Sequence, residues 1–101
     1  MPRRILDRTE LIGILRAFLP ELREHYGVRT LGLFGSYVRG DPRKSSDVDL
    51  LVEFDRTPSL LEFVELEQRL GDLLGVKVDL VMNGALKPSI GKRILSEVLI
   101  V

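Results

Sequence analysis

Residues 35–54 read GSYVRGDPRKSSDVDLLVEF, and this stretch decides how the rest of the chain is interpreted. It begins with a small-residue turn, Gly35-Ser36, and continues after ten intervening residues with the run Asp47-Val48-Asp49. One strand-like apolar run, at 28–34, precedes the turn, and another, at 48–54, contains the second aspartate. A glycine turn suits a phosphate group, and paired carboxylates suit a divalent metal. The stretch therefore predicts a site at which phosphate and metal meet.

The two aspartates are spaced for joint metal binding. Residues two apart in a strand point to the same face, so Asp47 and Asp49 project side by side with backbones about 7 Å apart. Magnesium prefers oxygen ligands and keeps positions open for water and phosphate oxygens. Two acids at this spacing are also compatible with a solvated sheet face, so the pair alone leaves both interpretations open.

A third carboxylate would complete a site for two metal ions, and two acids are candidates. Asp79 lies in the run KVDLV, with Val78 and Leu80 on one face and the carboxylate on the other. If this strand neighbours the second strand, Asp79 lies beside the pair. Glu53 is four residues beyond Asp49, about 13 Å along the strand, which is too far to share an ion. We predict Asp79 as the third acid and give Glu53 a position at the rim.

The glycine-serine turn has the properties of a phosphate-binding turn. Gly35 lets the backbone bend sharply and approach a ligand. Ser36 offers a hydroxyl and an amide at the start of a helical turn, where backbone donors favour phosphate. Arg39, one turn later, is placed to reach the same phosphates. The alternative is an ordinary strand-to-helix turn with Arg39 on the surface.

Apolar periodicity and turn residues predict the elements of the fold. The predicted helices cover 7–26, 57–74 and 90–96, with a single helical turn at 36–39. The predicted strands cover 28–34, 48–54, 76–82 and 98–101. We expect Asp7 or Thr9 to cap the first helix and Pro20 to kink or divide it. The predicted core stripe of the second long helix is Leu60, Phe63, Val64, Leu66, Leu70, Leu73 and Leu74. The fold class predicted is α/β (α+β), a small mixed sheet packed against helices.

Size and composition limit the remaining possibilities. A length of 101 residues predicts one domain spanning 1–101. The 15 basic and 15 acidic residues cancel, which does not favour nucleic-acid binding. The absence of cysteine and the presence of one histidine exclude a thiolate zinc site and a histidine-rich metal site. No secretory signal and no apolar run of ~20 residues are present, so we expect a soluble, cytoplasmic protein without membrane contact.

The spacing GS-x10-D-x-D resembles the signature of the DNA polymerase β nucleotidyltransferase superfamily. Residues 35–54 are similar to its minimal nucleotidyltransferase branch, the antitoxin partners of HEPN-domain toxins. The likeness extends through LLGVKVDLV at 73–81, which resembles the strand with the third acid, and through the closing segment ALKPSIGKRILSEVLIV at 85–101. It covers the chain from about residue 31 onwards.

The resemblance implies a nucleotidyltransferase fold and an activity. Asp47, Asp49 and Asp79 correspond to the catalytic and metal-binding acids, and Gly35, Ser36 and Arg39 to the nucleotide-binding residues. It implies Mg²⁺, as two ions, and ATP as co-substrate, with AMP passing to a tyrosine hydroxyl of a partner HEPN toxin. The chain would form an oligomer or a hetero-oligomer with the toxin. Two alternatives stay open: an antitoxin that acts by binding alone, and a nucleotidyltransferase acting on a small molecule or RNA.

Overall fold

The computed structural model describes residues 7–39, 47–83 and 88–101. The helices are α1 (Arg8–Tyr26), α2 (Ser36–Arg39), α3 (Leu60–Leu74) and α4 (Pro88–Glu97). The strands are β1 (Val28–Phe34), β2 (Val48–Phe54), β3 (Val78–Met82) and β4 (Leu99–Ile100). The predicted order of elements is confirmed. Boundaries move by up to three residues: α3 begins at residue 60 and not at 57, α4 is longer than predicted, and β3 and β4 are shorter. The dipeptide Asn83-Gly84 favours a turn after β3, and its second residue lies outside the described residues.

Helix α1 begins and ends at the residues that the sequence marks. Asp7 is the N-cap, and its Oδ1 accepts a hydrogen bond of 2.8 Å from the backbone N–H of Glu10. Gly27 ends the helix in the left-handed conformation, with φ of 71°. The prediction that Pro20 could divide the helix is wrong, because α1 runs unbroken for 19 residues. Pro20 is exposed, and buried leucines before and after it hold both halves against the same core: Leu11, Leu15, Leu19 and Leu22.

Helix α3 has a complete capping box. The backbone N–H of Glu62 donates to the Ser59 hydroxyl over 3.2 Å, and the Glu62 carboxylate accepts from the Ser59 N–H over 3.1 Å. The helix ends at Gly75, with φ of 68°. The predicted core stripe is correct for Leu66, Leu70 and Leu74 and wrong for Leu60 and Val64, which are 80% and 40% exposed. Periodicity identifies the buried face of a helix but not where along its axis the neighbouring elements end.

The four strands form one mixed sheet in the order β3-β2-β1-β4. Strand β1 pairs antiparallel with β2 and with β4, whereas β2 and β3 are parallel. The parallel pair requires a crossover, which α3 provides. Helix α1 packs on β1, α3 packs on β3, and the two helices contact each other. The fold class α/β (α+β), a small mixed sheet packed against helices, is confirmed.

The core lies between the sheet and the helices α1 and α3. In β2 and β3 the core residues occupy every second position, so these strands present one apolar face to the helices. The opposite face carries Asp49 and Asp79 together with the buried Leu51. The buried strand residues of this cluster are Val28, Leu31, Leu33, Val48, Leu50, Val52, Val78 and Leu80. Within the described part of the chain, no helix has the length and apolar character needed to cross a bilayer.

Candidate active site

The register of the two parallel strands places Asp49 directly beside Asp79. The residues on either side of them, Val48 with Val78 and Leu50 with Leu80, are also paired and are buried. Because side chains alternate along a strand, both aspartates project from the opposite face, away from α1 and α3. Neighbouring strands are about 4.8 Å apart, so the two carboxylates emerge within reach of one ligand.

Asp47 lies one residue before β2, at the same end of the sheet. Its Oδ2 is 3.9 Å from the Lys77 ammonium, in a pair whose side chains are 39% and 71% exposed respectively. An ion pair in such surroundings contributes little to stability, so it does not fix the Asp47 carboxylate in place. Sequence reasoning did not identify Lys77. The sequence feature that could have identified Lys77 as a neighbour of Asp47 is its position two residues before Asp79. This position repeats the spacing of Asp47 and Asp49 on the adjacent strand.

Gly35 and Asp49, the two halves of the sequence motif, contact each other directly. Phe34 is paired with Asp49 across β1 and β2, so Gly35 follows immediately beside the carboxylate. Gly35 has φ of 82°, a conformation that L side chains rarely adopt. A Cβ at this position would collide with Asp49 Oδ2 and would lie 3.0 Å from its Cγ. The carboxylate therefore occupies the space that any side chain at position 35 would fill.

The turn after Gly35 is stabilised by a hydrogen bond inside the turn and by a side chain buried in the core. The backbone N–H of Val38 donates to the carbonyl of Gly35 over 3.1 Å. Tyr37 is buried in the core cluster, which anchors α2 against the sheet. The backbones of Ser36 and Arg39 belong to α2, but their side chains lie outside the described part of the structure, as do residues 40–46. Their role in nucleotide binding stays a prediction.

Glu53 has structural partners at the rim of the sheet. Its carboxylate accepts hydrogen bonds from the Thr30 hydroxyl, at 3.2 Å, and from the Asn83 amide, at 3.3 Å. These contacts join β1, β2 and the end of β3. Glu53 thus lies four residues from Asp49 and is engaged in holding the sheet together.

The donor set matches a hard divalent cation in chemical type. Asp49 and Asp79 offer carboxylate oxygens on one face, and Mg²⁺ sites of this kind are completed by water and phosphate oxygens. Within residues 7–39, 47–83 and 88–101, no three histidine, cysteine or acidic side chains converge as a ready-made metal site. The arrangement is therefore a pair of adjacent carboxylates with a third, Asp47, directed towards Lys77.

Comparison with known proteins gives consistent matches. A family model described as a nucleotidyltransferase domain matches residues 15–101. The chain is 54% identical over 97 residues to the protein adenylyltransferase MntA of Thermococcus cleftensis, an alignment that covers 96% of this chain and 98% of that relative.

Two solved structures have the same fold. A candidate minimal nucleotidyltransferase superposes with a TM-score of 0.80 at 36% identity, covering 93% of this chain and 95% of the other. A toxin-antitoxin structure with AMP-PNP superposes with a TM-score of 0.69 at 26% identity, covering 94% of this chain and 72% of the other.

Proposed function

This chain belongs to the nucleotidyltransferase domain family and is a nucleotidyltransferase, and from that premise we propose that it is an antitoxin that transfers AMP from ATP to a tyrosine hydroxyl of a partner HEPN toxin. The observation that carries the proposal is the contact of the Gly35 turn with Asp49, which is itself in register with Asp79. The relative from Thermococcus cleftensis, a protein adenylyltransferase, supports a protein acceptor. The toxin-antitoxin structure with AMP-PNP supports ATP as the nucleotide. The reaction would take place in the cytoplasm, where ATP is available.

The proposed reaction is a displacement at the α-phosphorus of ATP. The tyrosine oxygen forms a bond to the α-phosphorus, the bond from that phosphorus to the oxygen bridging to the β-phosphorus breaks, and pyrophosphate leaves. The tyrosine proton passes to a base, for which Asp79 is the candidate because it is exposed on the acid face. The backbone amides at Gly35 and Ser36 would hold the β- and γ-phosphates. Positioning and charge neutralisation would supply most of the rate acceleration.

Metal dependence is part of this proposal. Asp47, Asp49 and Asp79 would hold Mg²⁺, as two ions by the family resemblance. When bound, the metal supplies charge neutralisation at the phosphates and lowers the pKa of the acceptor hydroxyl. Metal binding is supported by the three carboxylates at one end of the sheet, because their oxygens are the ligand type that Mg²⁺ prefers.

Position-specific labelling of ATP tests the proposal. The chain is incubated with Mg²⁺, the partner toxin and ATP labelled at either the α- or the γ-phosphorus. Label from the α position should appear on a toxin tyrosine and label from the γ position should not. Transfer of γ label would indicate a kinase instead, and an absence of transfer by folded, metal-loaded protein would refute the enzymatic proposal.

A toxin-binding function without catalysis is the second candidate. The observation in its favour is the ion pair of Asp47 with Lys77, because an ammonium group beside this carboxylate competes with a metal ion for it. Asp47→Asn separates the two functions, because neutralisation by binding alone should survive the substitution and AMP transfer should not. Transfer to RNA is less favoured, because the net charge of zero offers no excess of cations for a phosphate backbone.

A further inference from the structure

A hydrogen bond connects the start of α1 to the turn that follows Gly35. The guanidinium Nη1 of Arg8 donates to the backbone carbonyl of Val38 over 3.0 Å, between residues 30 apart in sequence. Arg8 is the first residue of α1 and precedes the residues 15–101 matched by the family model. None of the roles assigned above to the nucleotide site involves it.

The carbonyl that receives this bond belongs to a very short helix. The last four carbonyls of any α-helix lack donors within the helix, and α2 has only four residues. A donor from elsewhere therefore stabilises its C-terminal end. An arginine provides both the hydrogen bond and a positive charge, which is favourable beside helix-terminal carbonyls.

The position of α2 affects the position of the Gly35 turn, because α2 begins directly after Gly35. Tyr37 fixes one side of α2 in the core, and the Val38 N–H closes the turn onto the Gly35 carbonyl. Arg8 adds the contact at the C-terminal end. A displacement of α2 would move the Gly35 amide relative to Asp49, whose carboxylate lies against Gly35.

Arg8 is itself attached to a well-anchored helix end. The Asp7 side chain caps the Glu10 N–H, and the Asp7 carbonyl accepts from the Leu11 N–H over 3.1 Å. Leu11 is completely buried. The guanidinium therefore extends from a backbone that the cap and the core both hold.

We propose that Arg8 is a positioning residue, which holds α2 in the orientation that binds the triphosphate and does not touch the reacting atoms. This inference rests on the proposed function of the Gly35-Ser36 turn as the phosphate site. The turn would bind the β- and γ-phosphates equally in the ground state and in the transition state. Loss of such uniform binding raises KM and leaves kcat unchanged.

The test compares Arg8→Met, Arg8→Lys and Arg16→Met. Arg8→Met removes the donors and keeps a long side chain, and should raise KM for ATP and Kd for AMP-PNP by roughly three- to tenfold, with kcat within about twofold. Arg8→Lys keeps a charged donor without the planar fork and should recover part of the affinity. Arg16 is exposed on the same helix, so Arg16→Met is the matched control and should leave both constants unchanged.

Amide hydrogen exchange supplies a readout that needs no nucleotide. Exchange of the α2 amides should be faster in Arg8→Met than in the wild type or in Arg16→Met. Unchanged exchange and unchanged KM in Arg8→Met would overturn the inference, and so would a lower melting temperature and kcat with KM unchanged. A wild-type chain that fails to bind ATP would overturn the proposed function together with this role, whereas normal wild-type binding with an inert Arg8→Met would overturn the role of Arg8 alone.

Discussion

Gly35→Ala is the substitution whose effect follows most directly from the geometry. Part of the loss in the free energy of unfolding comes from the backbone, because a residue with a side chain in the left-handed region costs roughly 1–2 kcal/mol. Gly75 has a comparable φ, 68° against 82°, and a Cβ there would have nothing within 4 Å. Gly75→Ala is therefore a matched control that has the backbone cost without a new contact.

The second part of the cost comes from Asp49. The new Cβ would collide with Oδ2 and lie 3.0 Å from Cγ, so the carboxylate must leave its rotamer or β1 and β2 must shift. Overpacking of this kind costs about 1–3 kcal/mol. The sum is about 2–5 kcal/mol for Gly35→Ala against about 1–2 kcal/mol for Gly75→Ala. One kcal/mol corresponds to about 4–8 °C in Tm for a domain of this size, so the two variants should be clearly separated.

Thermal unfolding and the rate of AMP transfer are measured together for both glycine variants. Gly35→Ala should lower Tm more than Gly75→Ala and reduce the transfer rate by roughly a hundredfold, because it displaces the Asp49 carboxylate. Gly75→Ala should transfer AMP at the wild-type rate. In an Asp49→Ala background most of the extra Tm loss of Gly35→Ala should disappear, since Oδ2 and Cγ are gone. Equal effects of the two glycine variants, or a fully active Gly35→Ala, would refute the reasoning.

Three further predictions concern the acid face and the α3 cap. Asp79→Asn should reduce AMP transfer by roughly a hundredfold or more and change Tm little, because its side chain is exposed; a parallel loss of Tm and rate would contradict a catalytic role. Ser59→Ala removes the N-cap of α3 and should cost about 1 kcal/mol in thermal unfolding without affecting KM for ATP. Hydrogen bonds from the Ser59 backbone N–H and then from its hydroxyl hold the pKa of Glu62 below its usual value of 4.5. The carboxylate therefore stabilises the fold above about pH 4.5 and loses that contribution as pH falls through the lowered pKa. The Tm difference between wild type and Glu62→Gln should shrink in acid, and a difference that grows there would contradict the assignment.

Local signals in the sequence predicted most of the fold. Asp7, Gly27 and Gly75 mark helix ends because caps and left-handed glycines act on the residues next to them. Two predictions failed where distant packing decides the outcome. Pro20 did not divide α1, since the leucines around it are held by the core, and Leu60 is exposed although it fits the apolar period of α3.

The sequence predicted which residue types form the site. It predicted their arrangement only on the condition that β2 and β3 are neighbours. The alternation of Val78, Asp79 and Leu80 gave the face of the third acid, but placing it beside Asp49 required the pairing of two strands that α3 separates in sequence. The collision between a Cβ at position 35 and the Asp49 carboxylate depends on the register of β1 and β2. The bond from Arg8 to Val38 has no sequence signal, because any carbonyl can accept it and only the fold brings the two residues together.

The central claim is that Asp49 and Asp79, brought together by the β2–β3 register, act as one catalytic unit. The most direct test is the rate of AMP transfer to the partner toxin by Asp49→Asn, by Asp79→Asn and by the double variant. Residues that act as a unit are strongly non-additive, so the double variant should be about as slow as the slower single variant. Multiplication of the two single losses in the double variant, or a wild-type rate in either single variant, would contradict the claim.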